Sequence, residues 1–334
     1  MPMPPHTLAE LREASRLVHA HMPPTPQVAW PLLKERLGVD VIVKHENHTP
    51  TGAFKVRGGF VYLERYAREE RARAGGANVP RGVVSATRGN HGQSLALAGR
   101  TFGVPVTIVV PRGNSREKNK AMKAFGAELI EAGEDFDAAR AAAEAIALEK
   151  GLAMVPSFHP DLVKGVASYA LELFDAVPRI DTVYVPIGLG SGICGVIAAR
   201  DALGLATEVV AVVSDRADAA ATSFETGVIH STASSRTFAD GMATRVPHAD
   251  AFAIYRAGAA RVVRVSDDEI AEAIRIYHED THNMAEGAGA APLAALIKEK
   301  DRQHGKRCAV ILCGGNIDRD WAATVLAGGT PEPR

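Results

Sequence analysis

The chain carries one conspicuous lysine and three loops in which glycines sit beside polar side chains. In "HENHTPTGAFKVRGG", His45 to Gly59, Lys55 follows the apolar Phe54 in a stretch with few acidic partners. A lysine amine loses its proton when desolvated and then acts as a nucleophile or a base, which an arginine guanidinium does not do. The stretch "VPIGLGSGICG", Val185 to Gly195, places Gly188, Gly190, Gly192 and Gly195 between a strand-like run and a helix-like one. Bare backbone at a helix start exposes N–H groups and makes a phosphate cradle. A tight turn that merely packs helix on strand has the same composition, so both readings stand. A dinucleotide fingerprint is a third, and it calls for an acid about 20 positions on; Glu208 and Asp215 are only loosely placed for that.

The second loop, "SATRGNHGQSLALA", gathers Thr87, Arg88, Gly89, Asn90, His91 and Gln93 where a strand passes into a helix. Polar groups and open backbone at a helix N-terminus suit a carboxylate or a phenolic oxygen. Ordinary capping is the simpler alternative, since Asn and Thr cap well. In the third, "ILCGGNID", Cys313 ends an apolar strand and precedes Gly314, Gly315 and Asn316. A buried cysteine is usually a small hydrophobe, though its thiol can also hydrogen-bond weakly to a ligand nitrogen. Together, a phosphate cradle, a polar loop and an isolated lysine are what pyridoxal phosphate needs: the lysine forms a Schiff base with the aldehyde, and the ring stores the electrons of a carbanion.

Alternating elements must position these loops. Strand-like runs recur as "VDVIVKHE", "RGVVSAT", "PVTIVVP", "AELIEAG", "LAMVPS", "DTVYVPIG", "EVVAVVSD", "ARVVRVSD" and "RCAVILCGG". Helical composition fills the gaps. "DFDAARAAAEAIALEKG" has Asp135 or Asp137 as cap and ends at Gly151; "DDEIAEAIRIYHEDT" starts after Ser266 with acids in its first turn. This alternation predicts an α/β fold of mostly parallel sheets covered by helices, with ligands at the carboxyl ends of strands. The tail "AGGTPEPR" reads as a frayed end.

Length and composition fit this picture. The chain has 334 residues, 46% of them hydrophobic and 23% charged, with net charge −1. No nucleic-acid or membrane steering is expected from that balance. No apolar run reaches the roughly 18 residues of a spanning helix. The start lacks a basic segment followed by an apolar core, so no signal peptide is expected. The three cysteines, Cys194, Cys308 and Cys313, show no metal-like spacing. A reducing cytoplasm is the expected location.

The motifs also carry a resemblance, over nearly the whole chain, to the serine/threonine dehydratases among the fold-type II (tryptophan synthase beta-like) pyridoxal phosphate enzymes. "TGAFKVRGG" resembles the cofactor-lysine motif S-F-K-x-R-G-A. "TRGNHGQ" resembles S-x-G-N-H-x-Q, "REKNKAMKAFGAEL" the segment before the family's G-A-E strand, and "GLGSG" the tetraglycine loop. "AEGAGAAPLAAL" and "CGGNID" resemble E-x-x-G-A-A and S/C-G-G-N. The resemblance implies two domains, 1–65 with 153–334 (large, cofactor-binding) and 66–152 (small), with the active site between them. It implies Lys55 as the Schiff-base lysine, Phe54 beside it, Asn90 at the ring's phenolic oxygen, and Cys313 at the ring nitrogen. It places Gly188, Leu189, Gly190, Ser191 and Gly192 around the phosphate, and Thr87, Arg88, Gly89 and His91 around the substrate carboxylate.

The implied activity is a dehydratase (ammonia-lyase) acting on a β-hydroxy amino acid, L-threonine and/or L-serine first. Another substrate such as 3-hydroxyaspartate or phenylserine, a racemase on the same fold, and a phosphate or nucleotide binder are the alternatives. A homodimer or higher homo-oligomer is implied as well. Departures from the family pattern carry their own expectations. Ala53 replaces a serine, Leu189 and Ser191 interrupt the tetraglycine, and Arg88 replaces a small residue. Ser214 and Ala220 stand where the family has metal-binding acids, so no divalent metal is expected. The chain ends soon after "CGGNID", so no C-terminal regulatory domain is expected.

Overall fold

The computed structural model describes residues 6–73 and 80–333. In chain order the strands are β1 (Gln27–Ala29), β2 (Asp40–His45), β3 (Val83–Ala86), β4 (Val106–Val110), β5 (Glu128–Glu131), β6 (Ala153–Met154), β7 (Thr182–Pro186), β8 (Glu208–Ser214), β9 (Arg261–Val265) and β10 (Arg307–Leu312). The helices are α1 (Leu8–His19), α2 (Pro31–Leu37), α3 (Lys55–Arg73), α4 (Asn90–Phe102), α5 (Arg116–Ala124), α6 (Phe136–Lys150), α7 (Pro160–Ala176), α8 (Ser191–Ala202), α9 (Ala219–Thr226), α10 (Ala249–Gly258), α11 (Asp267–Thr281), α12 (Gly287–Lys298) and α13 (Arg319–Leu326). Each of the nine runs expected as strands is one. β1 was not foreseen: it is a three-residue edge, antiparallel to β2, with Val28 opposite Val43.

By internal contacts the chain divides into two units, Met1–Phe54 with Val166–Arg334, and Lys55–Gly165. The boundaries between these units fall at 54/55 and 165/166. The cause is close packing within the smaller unit. A Cβ on Gly59 would stand 2.2 Å from Ser94 Oγ, and one on Gly165 would stand 2.3 Å from the Arg57 carbonyl oxygen. Small residues at these positions bring α3 against α4 and the first turn of α7 against α3.

The larger unit holds a six-stranded sheet in the order β1-β2-β10-β7-β8-β9, parallel except for β1. Every residue of β7 is buried, as are all of β8 and β10 but their first. Their β-branched runs suit strands covered on both faces, and α12 packs across β7, β8, β9 and β10. The smaller unit holds a parallel four-stranded sheet, β5-β4-β3-β6. Val84, Ala86 and Val109 of that sheet pack on Ala139 and Ala143 of α6.

Local signals set the helix ends. The Asp135 side chain accepts from Ala138 N, and α6 closes at Gly151 in the left-handed region. Ser266 and Glu269 form a reciprocal capping box on α11. The tail departs from its expectation, because it is pinned. Arg275 Nη1 donates to the Val325 and Gly329 carbonyls, each at 3.1 Å, and Thr330 Oγ1 donates to Asp268 at 2.5 Å. Pro331 and Pro333 are buried. Among the described residues no helix is long and apolar enough to cross a membrane.

Candidate active site

In the larger unit, the chain leaves β7 at Pro186 and enters α8 at Ser191. Gly190 is the N-cap, with φ at +102°, and it brings no side chain to cap the helix. A Cβ there would sit 2.7 Å from Ala251 Cβ, and one on Gly188 would sit 2.3 Å from the Gly241 carbonyl oxygen. Glycine is thus required at both positions, for a left-handed backbone in one and a close approach in the other. Gly188 and Leu189 are half-buried; Gly190, Ser191 and Gly192 are buried. The first N–H groups of a helix have no intrahelical partner. A buried helix start without a side-chain cap is therefore suited to an anion, and the phosphate of pyridoxal phosphate fits this cradle.

Two loops of the same unit meet at the carboxyl end of β10. Phe54 N donates to the Cys313 carbonyl at 3.0 Å, and Ala53 forms an isolated bridge with Gly314. Asn316 Nδ2 donates to the Thr51 carbonyl at 2.8 Å. Cys313 is buried. The Phe54 ring stands edge-on to Tyr169, and its Cζ lies 3.6 Å from the point where a Gly192 Cβ would be. Tyr169 Oη in turn donates to the Gly192 carbonyl at 3.2 Å. Phe54, Gly192 and Cys313, singled out from separate motifs, are thus neighbours.

Two further groups stand here to which no site role was given, Glu286 of the "AEGAGAAPLAAL" motif and Tyr277. Glu286, buried at the start of α12, donates its N–H to the Gly314 carbonyl at 3.0 Å, and its Oε1 is 2.5 Å from where a Gly314 Cβ would be. The "AEGAGAA" run held its signal, a lone acid before an alanine-rich helix. Tyr277 is fully buried; its hydroxyl has no hydrogen-bond partner, and burial, then the nearby Cys313, push its pKa well up. No periodicity marks a buried tyrosine as polar, so sequence had no signal for it.

In the smaller unit, β3 passes through Thr87, Arg88 and Gly89 into α4. Gly89 is the N-cap, again with no side-chain cap. Gly89 N donates to Thr87 Oγ1 at 3.1 Å, which folds the turn. A Cβ on Gly89 would lie 2.4 Å from Lys118 Cδ, so the buried stem of that lysine requires glycine here. His91 is buried, and its Nε2 has no hydrogen-bond partner. Burial first, and then the charge of Lys55, lower its pKa to about 3. Asn90 is half-buried as the first residue of α4, and Arg88 is exposed. Lys55 opens α3, half-buried, and its carbonyl accepts from Ser94 Oγ at 2.7 Å.

Glu208 and Asp215, the acids loosely suited to a dinucleotide ribose, lie at opposite ends of β8. Glu208 pairs with Arg261 at 3.1 Å at the amino end, the wrong end for a ligand. Ser214 Oγ accepts from Arg216 N at 3.2 Å, and Ala220 is buried. Among the described residues no three His, Cys, Asp or Glu side chains group as a metal site.

Residues 18–314 match the family described as "Pyridoxal-phosphate dependent enzyme". The chain is 34% identical to the L-threonine ammonia-lyase of Thermotoga maritima over 97% of its own length and 79% of that protein. It is 29% identical to the L-threo-3-hydroxyaspartate ammonia-lyase of Saccharomyces cerevisiae, over 96% of this chain and 97% of that protein. Its fold is similar to that of maize serine racemase, with a TM-score of 0.88 at 26% identity over 97% of this chain and 98% of that one. A cradle for phosphate, a lysine at a helix start and a family match over most of its length lead to one conclusion: the chain belongs to the pyridoxal-phosphate-dependent enzymes and, among them, to the serine/threonine dehydratases.

Proposed function

We propose that this lyase converts an L-β-hydroxy amino acid into the 2-oxo acid and ammonia. The observation that carries the reading is the pair of uncapped helix starts: α8 behind Gly190 in one unit, and α4 behind Gly89, beside Lys55 and His91, in the other. When bound, pyridoxal phosphate supplies a carbonyl for the substrate amine and an electron sink for its α-carbon.

The chain's own residues do the rest. Backbone N–H groups of Gly188 to Gly192 would hold the phosphate, the Asn90 amide would meet the phenolic oxygen, and Phe54 would pack against the cofactor. Lys55 Nζ would hold the cofactor by its carbonyl carbon and would serve as the base for the proton on the substrate α-carbon. Thr87, Gly89 and His91 receive the substrate carboxylate at the start of α4. His91 stays neutral down to about pH 3, so it orients by hydrogen bonding and adds no charge to compete with the lysine. Cys313 donates only weakly to the ring nitrogen.

The likeness to maize serine racemase raises a racemase as the second reading. That reaction needs a second acid–base group, and the guanidinium of an arginine is a poor one. A homo-oligomeric, cytoplasmic enzyme completes the proposal; light scattering on a sizing column reads the first of these. The activity is tested by assaying 2-oxo acid and ammonia from a panel of L- and D-β-hydroxy amino acids, with the wild type and Lys55→Ala. Equal amounts of the two products from an L-isomer, lost in the variant, are expected. Turnover by Lys55→Ala at the wild-type rate overturns the assignment.

A further inference from the structure

Arg88 is the one residue of the α4 loop to which a threonine or serine side chain gives no task. It stands immediately before Gly89, on an exposed turn. Among the described residues it takes part in no hydrogen bond, ion pair or cation–π contact. Its surroundings are rich in positive charge. The stem of Lys118 lies against Gly89, the charge of Lys55 is felt at His91, and the first turn of α4 contains no acid. The N–H groups of that turn add the positive end of the helix dipole, and the buried His91 Nε2 is a further polar atom without a partner.

A guanidinium left open at such a place matches a carboxylate in a planar, two-pronged contact. We propose that Arg88 is a specificity residue that engages a second carboxylate of the substrate. The inference rests on the ammonia-lyase reading. It names the substrate class as β-hydroxy amino acids whose β-carbon also bears a carboxylate, with 3-hydroxyaspartate the simplest. With the α-carboxylate at the α4 N-terminus, the β-carboxylate, two carbons away, is the group left for Arg88. The relative from Saccharomyces cerevisiae is named for this kind of substrate. The reaction balances without an oxidant or reductant. The α-proton and the β-hydroxyl leave as water, and the enamine then takes up one water and releases ammonia. The product is a 2-oxo dicarboxylate.

The test compares kcat/KM for L-threo-3-hydroxyaspartate and L-threonine in the wild type, Arg88→Ala and Arg88→Lys. The wild type is expected to prefer the dicarboxylate. Loss of one charge-assisted bidentate contact lowers that preference about 10- to 150-fold in Arg88→Ala, and Arg88→Lys, which keeps the charge without the fork, falls between. A binding readout runs beside it: titration of the bound cofactor's absorbance with L-aspartate and with its neutral counterpart L-asparagine. Tighter binding of aspartate to the wild type, erased in Arg88→Ala, is expected. If no amino acid in the panel yields a 2-oxo acid, the lyase reading fails, and the titration still decides the role of Arg88. A wild type that prefers threonine overturns the inference. So does a preference that Arg88→Ala leaves within twofold of the wild type, or an aspartate-to-asparagine ratio that the variant does not change.

Discussion

His91 and His45 are both held neutral by the fold, and burial is the first cause for each. His45 ends β2, where it accepts from Trp30 Nε1 at 3.0 Å, and its pKa falls to about 4. In the unfolded chain both imidazoles take a proton near their ordinary pKa of about 6.5. Folded, they refuse it until about 4 and about 3. Between those limits the unfolded state binds more protons, so stability rises with pH through the window and is lost as the solution is acidified. Each group contributes at most about 1.4 kcal/mol per pH unit. Thermal unfolding followed from pH 7 to pH 4.5 is expected to show a steep decline in the wild type and a shallower one in His45→Asn; parallel curves contradict the account. Single residues were unequally legible. Lys55 stood out because a lysine beside phenylalanine in an acid-poor stretch is chemically odd. The neutral state of His91 depends on burial by distant segments, and no local pattern encodes it.

At the scale of elements, the start of α8 makes a sharp prediction. Gly190→Asp sets a carboxylate at the cradle, at a backbone angle that side chains rarely adopt and 2.7 Å from Ala251 Cβ. Like charges repel, and the backbone is strained. Affinity for pyridoxal phosphate, measured by titration, is expected to fall at least tenfold; an unchanged value would move the phosphate elsewhere.

A second prediction concerns how β2 is tied to α7. Lys44 Nζ donates to Glu172 at 2.6 Å, to the Thr25 carbonyl at 2.7 Å and to Gln27 at 3.0 Å. The side chains of Lys44 and Glu172 are 0% and 5% exposed. Removing one partner strands a buried charge, so Lys44→Met is expected to destabilise by about 3–5 kcal/mol in chemical denaturation, with part of the loss recovered in Lys44→Met/Glu172→Leu. A loss below about 1 kcal/mol contradicts this.

Element type was the most legible feature. Runs such as "EVVAVVS" are rich in β-branched valine, and Ser266 with Glu269 announces a helix start. The three-residue β1 escaped notice because its pairing partner, not its composition, makes it a strand.

For the whole molecule, alternation of strand and helix announced parallel sheets. Strand order did not follow from it: β10, last in sequence, lies between β2 and β7, a placement decided by tertiary packing. The tail was misjudged for a related reason. Its glycines and prolines are typical of frayed ends, but Arg275 and Asp268 on α11 hold it. The loops singled out for chemistry were found at helix starts, yet Glu286 and Tyr277 joined the Cys313 neighbourhood only through the fold. The central claim is that Lys55, among all the lysines, carries the cofactor. The buried Lys118, packed against Gly89, is the nearest rival in the smaller unit. The direct measurement is borohydride reduction of the cofactor-loaded protein, followed by proteolysis and mass analysis of the peptides. The account predicts the reduced cofactor on the peptide containing Lys55 alone; finding it on the Lys118 peptide, or on no peptide, would contradict it.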